Sequence, residues 1–109
     1  MPSNAVKIHK LQHALNTKGM RITYSTTQFY SADQDRPVTL YSVKQAIWDE
    51  ERGKYANQEL FKAANQLQII LFLRDLWYIV NGKELPKADK QWEDTRKTIN
   101  IFSSQEKGE

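Results

Sequence analysis

The sequence predicts a small α+β domain, a three-stranded antiparallel meander packed on a buried central helix in the order α-β-β-β-α-α. Three observations carry that reading. Leu67 to Val80, LQIILFLRDLWYIV, holds more large apolar side chains in one helical length than any other window. Arg21 to Tyr30 and Val38 to Trp48 are rich in β-branched and aromatic residues and poor in helix formers. The polar clusters SADQDRP and DEERGK punctuate these runs as hairpin turns do.

The first helix is expected at about residues 4 to 18. Ser3 or Asn4 can cap it, Ile8, Leu11 and Leu15 form its apolar stripe, and Gly19 stands at its end. The strand from Arg21 to Tyr30 would place Ile22, Tyr24 and Tyr30 on one face and Phe29 on the other. A short polar link to Val38–Trp48 implies antiparallel pairing. Gly53 then sits where a tight turn wants a positive φ, and Lys54 to Phe61 can return as a third strand with Tyr55 and Phe61 on one side. Residues 43–61 also admit a second reading, because Lys, Gln, Ala and Glu tolerate helix and Ser42 could start one over Val43 to Arg52.

In the central helix the apolar residues lie almost all round, the pattern of an interior helix. A membrane span needs about 20 apolar residues free of charge. This run is shorter and carries Arg74 and Asp75 in its middle, so no membrane partner is expected. Asn81, Gly82 and Pro86 mark its end. A last helix, capped by Asp89 and running to about Phe102, would pack through Trp92, Thr95, Ile99 and Phe102.

A chain of 109 residues fits one domain, expected over residues 1–102, followed by a tail from Ser103 to Glu109 whose composition reads as disordered. The absence of cysteine excludes disulfides, thiolate metal sites and cysteine nucleophiles, and agrees with a reducing compartment. MPSNAVKIHK has no apolar stretch of signal-peptide type, so a cytoplasmic protein is expected. Net charge is +3, unevenly spread: residues 1–32 hold Lys7, Lys10, Lys18 and Arg21 and no acid.

Arg74 and Asp75 are the most informative charges, because their apolar neighbours deny them an easy route to water. Adjacent helical residues diverge by about 100°, so each is expected to need a partner elsewhere. The structural reading has Arg74 on carbonyls or on a carboxylate such as Glu59, and Asp75 on a strand or the last helix. The functional reading makes the pair a buried polar anchor in a cleft or interface. Lys7, Lys10, Lys18, Arg21 and Tyr24 form the candidate nucleic-acid surface, since cations neutralise phosphates and aromatic faces stack on unpaired bases. The same charges equally suit a solvated surface. His9 and His13 share a helix face at a zinc-ligand spacing, but the intervening Lys10-Leu11-Gln12 lacks the glutamate of the zinc-protease motif and no third ligand stands nearby, so a solvated pair is expected. No glycine-rich phosphate loop, serine elbow or calcium loop is present. Neither a cofactor nor catalysis is expected.

The α-β-β-β-α order also occurs in double-stranded RNA-binding domains. Asn65-Gln66-Leu67-Gln68 stands where their final helix opens with a basic cluster, so that similarity is topological only. Over residues 20–86, TTQFYSADQDRPVTLYSVKQAIWDEERGK and LFLRDLWYIVNGKELP resemble small uncharacterised proteins carried by prophages and integrative elements of Gram-positive bacteria. The resemblance implies a setting of mobile DNA and a non-catalytic accessory or inhibitory role, and transfers no functional residue. The expected function is therefore a non-catalytic interaction module acting on an unidentified protein partner, with a nucleic-acid-binding accessory protein as the alternative. A symmetric dimer covering the side of the central helix that three strands cannot reach is a further expectation.

Overall fold

The computed structural model describes residues 3–99 and 101–102, and the tail expected from Ser103 onward lies outside the described residues. The elements are α1 (Asn4–Asn16), β1 (Ile22–Ser31), β2 (Arg36–Asp49), β3 (Lys54–Ala63), α2 (Gln66–Val80) and α3 (Lys90–Lys97). The α+β meander and its α-β-β-β-α-α order are thus as the sequence predicts.

Each helix begins on a side-chain cap. The Ser3 hydroxyl accepts from Val6 N–H at 3.2 Å, Asn65 Oδ1 from Gln68 N–H at 2.9 Å, and Asp89 Oδ1 from Trp92 N–H at 2.8 Å. α2 stops at a left-handed Gly82 (φ 69), where Lys83 N–H reaches back to the Tyr78 carbonyl at 2.9 Å. α1 ends at Asn16, short of the expected residue 18. α3 ends at Lys97, not near Phe102, because Thr98 turns its hydroxyl onto the Thr95 carbonyl at 2.7 Å. Ile99 and Phe102 are buried nonetheless, and Ile101 and Phe102 are again helical, so the apolar spacing identified the packing residues although α3 is interrupted before them.

The sheet order is β1-β2-β3, both pairs antiparallel. β2 is long because it serves two hairpins that are staggered along it. Arg36 to Gln45 pair with β1, while Tyr41 to Asp49 pair with β3, so only Tyr41–Gln45 has a strand on each side. This double pairing disposes of the helical reading of Val43–Arg52: a helix there would strip both neighbours of their ladder. α1 packs chiefly on α2, and the two cover one face of the sheet over its middle. There Ile8, Leu15, Ile22, Val43, Ile69, Phe72, Leu73 and Leu76 are buried with Trp92 and Phe102. The hairpin ends project beyond that cover as two arms, which leaves Phe29, Tyr30, Trp48 and Tyr55 exposed.

One expectation about β3 fails. Val43 faces Phe61 but Lys44 faces Glu59, so Leu60 is an extra residue at a bulge. The bulge resets the alternation of faces. Phe61 turns inward to stack on Phe72 at 4.9 Å, whereas Tyr55 falls on the opposite face beside Trp48. α2 also departs from the fully buried helix expected. Ile69, Phe72, Leu73, Asp75 and Leu76 are buried, the flanking apolar residues are half-covered, and Leu67 is exposed.

At the tip of the β1–β2 arm, Asp35 adopts a left-handed conformation (φ 53) and the Tyr30 hydroxyl donates to its carboxylate. That bond, aided by slight desolvation, holds the Tyr30 pKa above the ordinary 10.0. A raised native pKa means the phenol proton, and the contact it makes, is kept at neutral pH and lost as pH rises through the raised value. In an absorbance titration, Tyr30→Phe should remove one phenol transition centred above 10.0; loss of a transition at or below that value would refute the assignment.

Candidate interaction surface

The two central charges do pair with each other. Arg74 Nη2 lies 3.0 Å and Nε 3.2 Å from Asp75 Oδ1. Adjacent side chains do leave the helix about 100° apart, but they are not radial spokes, and the arginine stem is long enough to curl its head round to the neighbouring carboxylate. Glu59, the partner considered for Arg74, is exposed and 3.7 Å from Lys62.

Asp75 is fully buried and also reaches the last helix. Its Oδ2 accepts from Trp92 Nε1 at 2.7 Å and from Arg96 Nε at 3.0 Å. Arg96, 6% exposed, bonds the Pro86 carbonyl through Nη2 at 3.0 Å. One carboxylate therefore ties α2 to α3 and to the connection between them. Both its oxygens are occupied and no buried side-chain polar atom among the described residues lacks a partner, so the arrangement is a structural clamp. The sequence reading of Asp75 on the last helix holds; the functional reading of Arg74 and Asp75 as a ligand anchor finds no open acceptor here. Arg96 was missed because it sits beside, not within, the Trp92–Ile99–Phe102 stripe.

Lys7, Lys10, Lys18 and Arg21 are exposed. Tyr24 is not available to a base: it is half-buried, its ring stacks on Tyr41 at 6.2 Å, and its hydroxyl is bonded by Gln66 Nε2 at 3.3 Å. His9 and His13 are both exposed, and no group of three His, Cys, Asp or Glu among the described residues could hold a metal. No helix of the described chain is long and apolar enough to cross a membrane. α1 on one side and Trp92, Ile99 and Phe102 on another already cover much of α2, which removes that reason for a dimer.

What the fold does assemble is a cluster on the β2–β3 arm, one residue pair in from its turn. Trp48 and Tyr55 face each other across the hairpin with ring centroids 5.1 Å apart in an edge-to-face arrangement. Arg21, held left-handed at φ 59 with its carbonyl bonded to Ala46 N–H at 3.1 Å, lays its guanidinium 4.3 Å from the Tyr55 ring centre. Trp48 is 51% and Tyr55 47% exposed. Beside them Asp49, Glu50 and Glu51 line a shallow cleft with Trp48 and Ile47. Three residue types that dominate binding energy at protein interfaces thus share one solvent-facing patch with a charged border. A hairpin numbered outward from the turn EERG pairs Asp49 with Lys54 and Trp48 with Tyr55, so the aromatic half was open to sequence reasoning; the arginine was not, since it arrives from another strand's entrance.

Comparison with protein-family models, with curated proteins and with solved structures gave no match to this chain.

Proposed function

We propose that the protein is a non-catalytic accessory or regulatory module of the cytoplasm that acts by binding another protein through Arg21, Tyr55 and Trp48. The observation that carries this reading is the exposed Trp–Tyr pair capped by a guanidinium. Such a cluster offers large apolar area whose rotamers are already fixed, so little conformational entropy remains to be lost on binding. Around it Asp49, Glu50 and Glu51 stand among Arg21, Arg52 and Lys54, with Asp49 3.6 Å from Arg52, a mixed-charge border of the kind that rims an apolar centre at protein interfaces. The resemblance noted over residues 20–86 to proteins of prophages and integrative elements, if it holds, would imply the same accessory role.

The test is affinity capture from a host lysate with the wild type, Trp48→Ala and Arg21→Glu. The expected result is a single discrete protein retained by the wild type and reduced at least about tenfold by each variant, as losses of 1.4 kcal/mol or more would give. Melting temperatures should be unchanged. Retention unaffected by both variants would reject the patch.

The alternative, an accessory protein that binds nucleic acid through its basic N-terminal helix and first strand, is supported by the exposure of Lys7, Lys10, Lys18 and Arg21. Phosphate binding weakens with salt by roughly one power per phosphate neutralised. A gel-shift series with duplex and single-stranded probes at two salt concentrations, repeated for Lys7→Glu with Lys10→Glu, separates the readings. Tight, salt-sensitive binding lost in the double variant would replace the protein-partner reading with this one.

A further inference from the structure

The two edges of the sheet are built differently. β3 carries Lys54, Glu59 and Lys62 and the bulge at Leu60, features by which edge strands resist pairing with other chains. β1 has none of them. Its ten residues, ITYSTTQFYS, include no charge, no proline and no glycine, and they pair with β2 through ten consecutive partners without a register shift.

The direction of its free hydrogen-bonding groups follows from Ile22. Asn16 Oδ1 accepts the Ile22 N–H at 2.6 Å, and the Ile22 carbonyl accepts from Asn16 Nδ2 at 3.1 Å and Gln12 Nε2 at 2.9 Å. Both backbone groups of Ile22 therefore point away from β2, toward α1. In an antiparallel ladder this property recurs at every second residue. Tyr24, Thr26, Gln28 and Tyr30 consequently turn their N–H and C=O groups to the open edge, where no side chain among the described residues takes the place that Asn16 takes at Ile22.

We infer that β1 is a self-association edge, and that a second copy of this chain pairs antiparallel with it to make a continuous six-stranded sheet. One symmetric register uses all four outward residues: Tyr24 opposite Tyr30 of the other copy, Thr26 opposite its Gln28, and the reverse of each, with Thr27 facing Thr27 on the twofold axis. Pairing a strand with itself fails where it sets like charges opposite one another, and β1 has no charge to oppose. Tyr–Tyr and Thr–Thr are favourable cross-strand partners. The Asn16 clamp closes the edge at Ile22 and so limits slippage in one direction, while beyond Tyr24 the arm lies clear of the helices. The Arg21–Tyr55–Trp48 patch takes no part.

Sedimentation equilibrium of the full chain over a concentration series tests this, together with Thr27→Lys, Thr27→Glu and an equimolar mixture of the two. The wild type is expected to be a dimer. Each variant alone places like charges on the axis and should dissociate at about tenfold or more higher concentration, while the mixture should regain the dimer. Thr27 is exposed, so at a concentration low enough for all three proteins to be monomeric their melting curves should overlay, while at dimer-forming concentrations the wild type alone should melt higher. A monomeric wild type at every soluble concentration would overturn the inference, as would a dimer indifferent to both substitutions.

Discussion

Arg96→Ala is expected to destabilise the fold by about 3 to 5 kcal/mol, the loss typical of breaking a buried ion pair from one side. The guanidinium it removes is 6% exposed and holds both Asp75 and the Pro86 carbonyl. Asp75 would stay buried with one partner fewer, and the link from α2 to the segment before α3 would be cut. Arg74→Ala is expected to cost about 1 kcal/mol or less, although its distance to Asp75 is the same 3.0 Å, because a third of its side chain meets solvent and water can take over part of its work. Urea unfolding of the two variants measures the contrast. Equal losses would mean that Asp75 does not distinguish its two arginines, and the clamp as described would be wrong.

Phe72→Ala should be comparably severe, at about 3 to 5 kcal/mol. Phe72 is fully buried at the crossing of three parts of the chain, with Phe61 of β3 at 4.9 Å and Phe102 of the C-terminal segment at 5.4 Å. Truncation removes the transfer free energy of the ring and leaves a cavity whose walls are anchored to the sheet and to α2, so it can collapse only partly. Phe29→Ala is the matching control. That ring is 45% exposed on an arm, and its loss should shift stability by about 0.5 kcal/mol. Thermal or urea melts of both place the core at α2 and exclude the arms; a larger loss at Phe29 would reverse that assignment.

Much of this architecture could be read from one sequence, and the reasons differ by element. Ser3 and Asp89 were legible as caps and Gly53 and Gly82 as positive-φ positions because each is a local demand of the backbone, settled within a few residues. The bulge at Leu60 was not, since period-two alternation contains no mark for the point where it slips. That one residue decides that Phe61 is core and Tyr55 is surface. The Arg74–Asp75 contact was hidden by treating direction as reach. Arg96 and Arg21 were hidden for a different reason: each finds its partner in a distant part of the chain, Arg96 on Asp75 and Arg21 over Tyr55, and spacing within one element carries no trace of that. The candidate surface was accordingly half visible. Lys18 and Arg21 were singled out as cations, but Tyr24, chosen as their aromatic companion, packs inward, and the aromatic that meets Arg21 is Tyr55.

The strands lie side by side in the order in which the chain presents them, and this bears on how the molecule comes to be folded. Each hairpin closes a short loop, so the chain-entropy cost of forming either is small and neither has to wait for the other. The same holds for the Asn16–Ile22 clamp and for the step from β3 into α2. The most extensive contact between far-separated parts of the chain is the docking of α1 on α2, across the whole meander, with the Gln66–Tyr24 bond spanning a further long interval. The buried seam between the two helices is then the last large area to close, and the side chains that line it, Ile8, Leu15, Ile69 and Leu73, are the ones whose truncation would speed unfolding more than it slows folding.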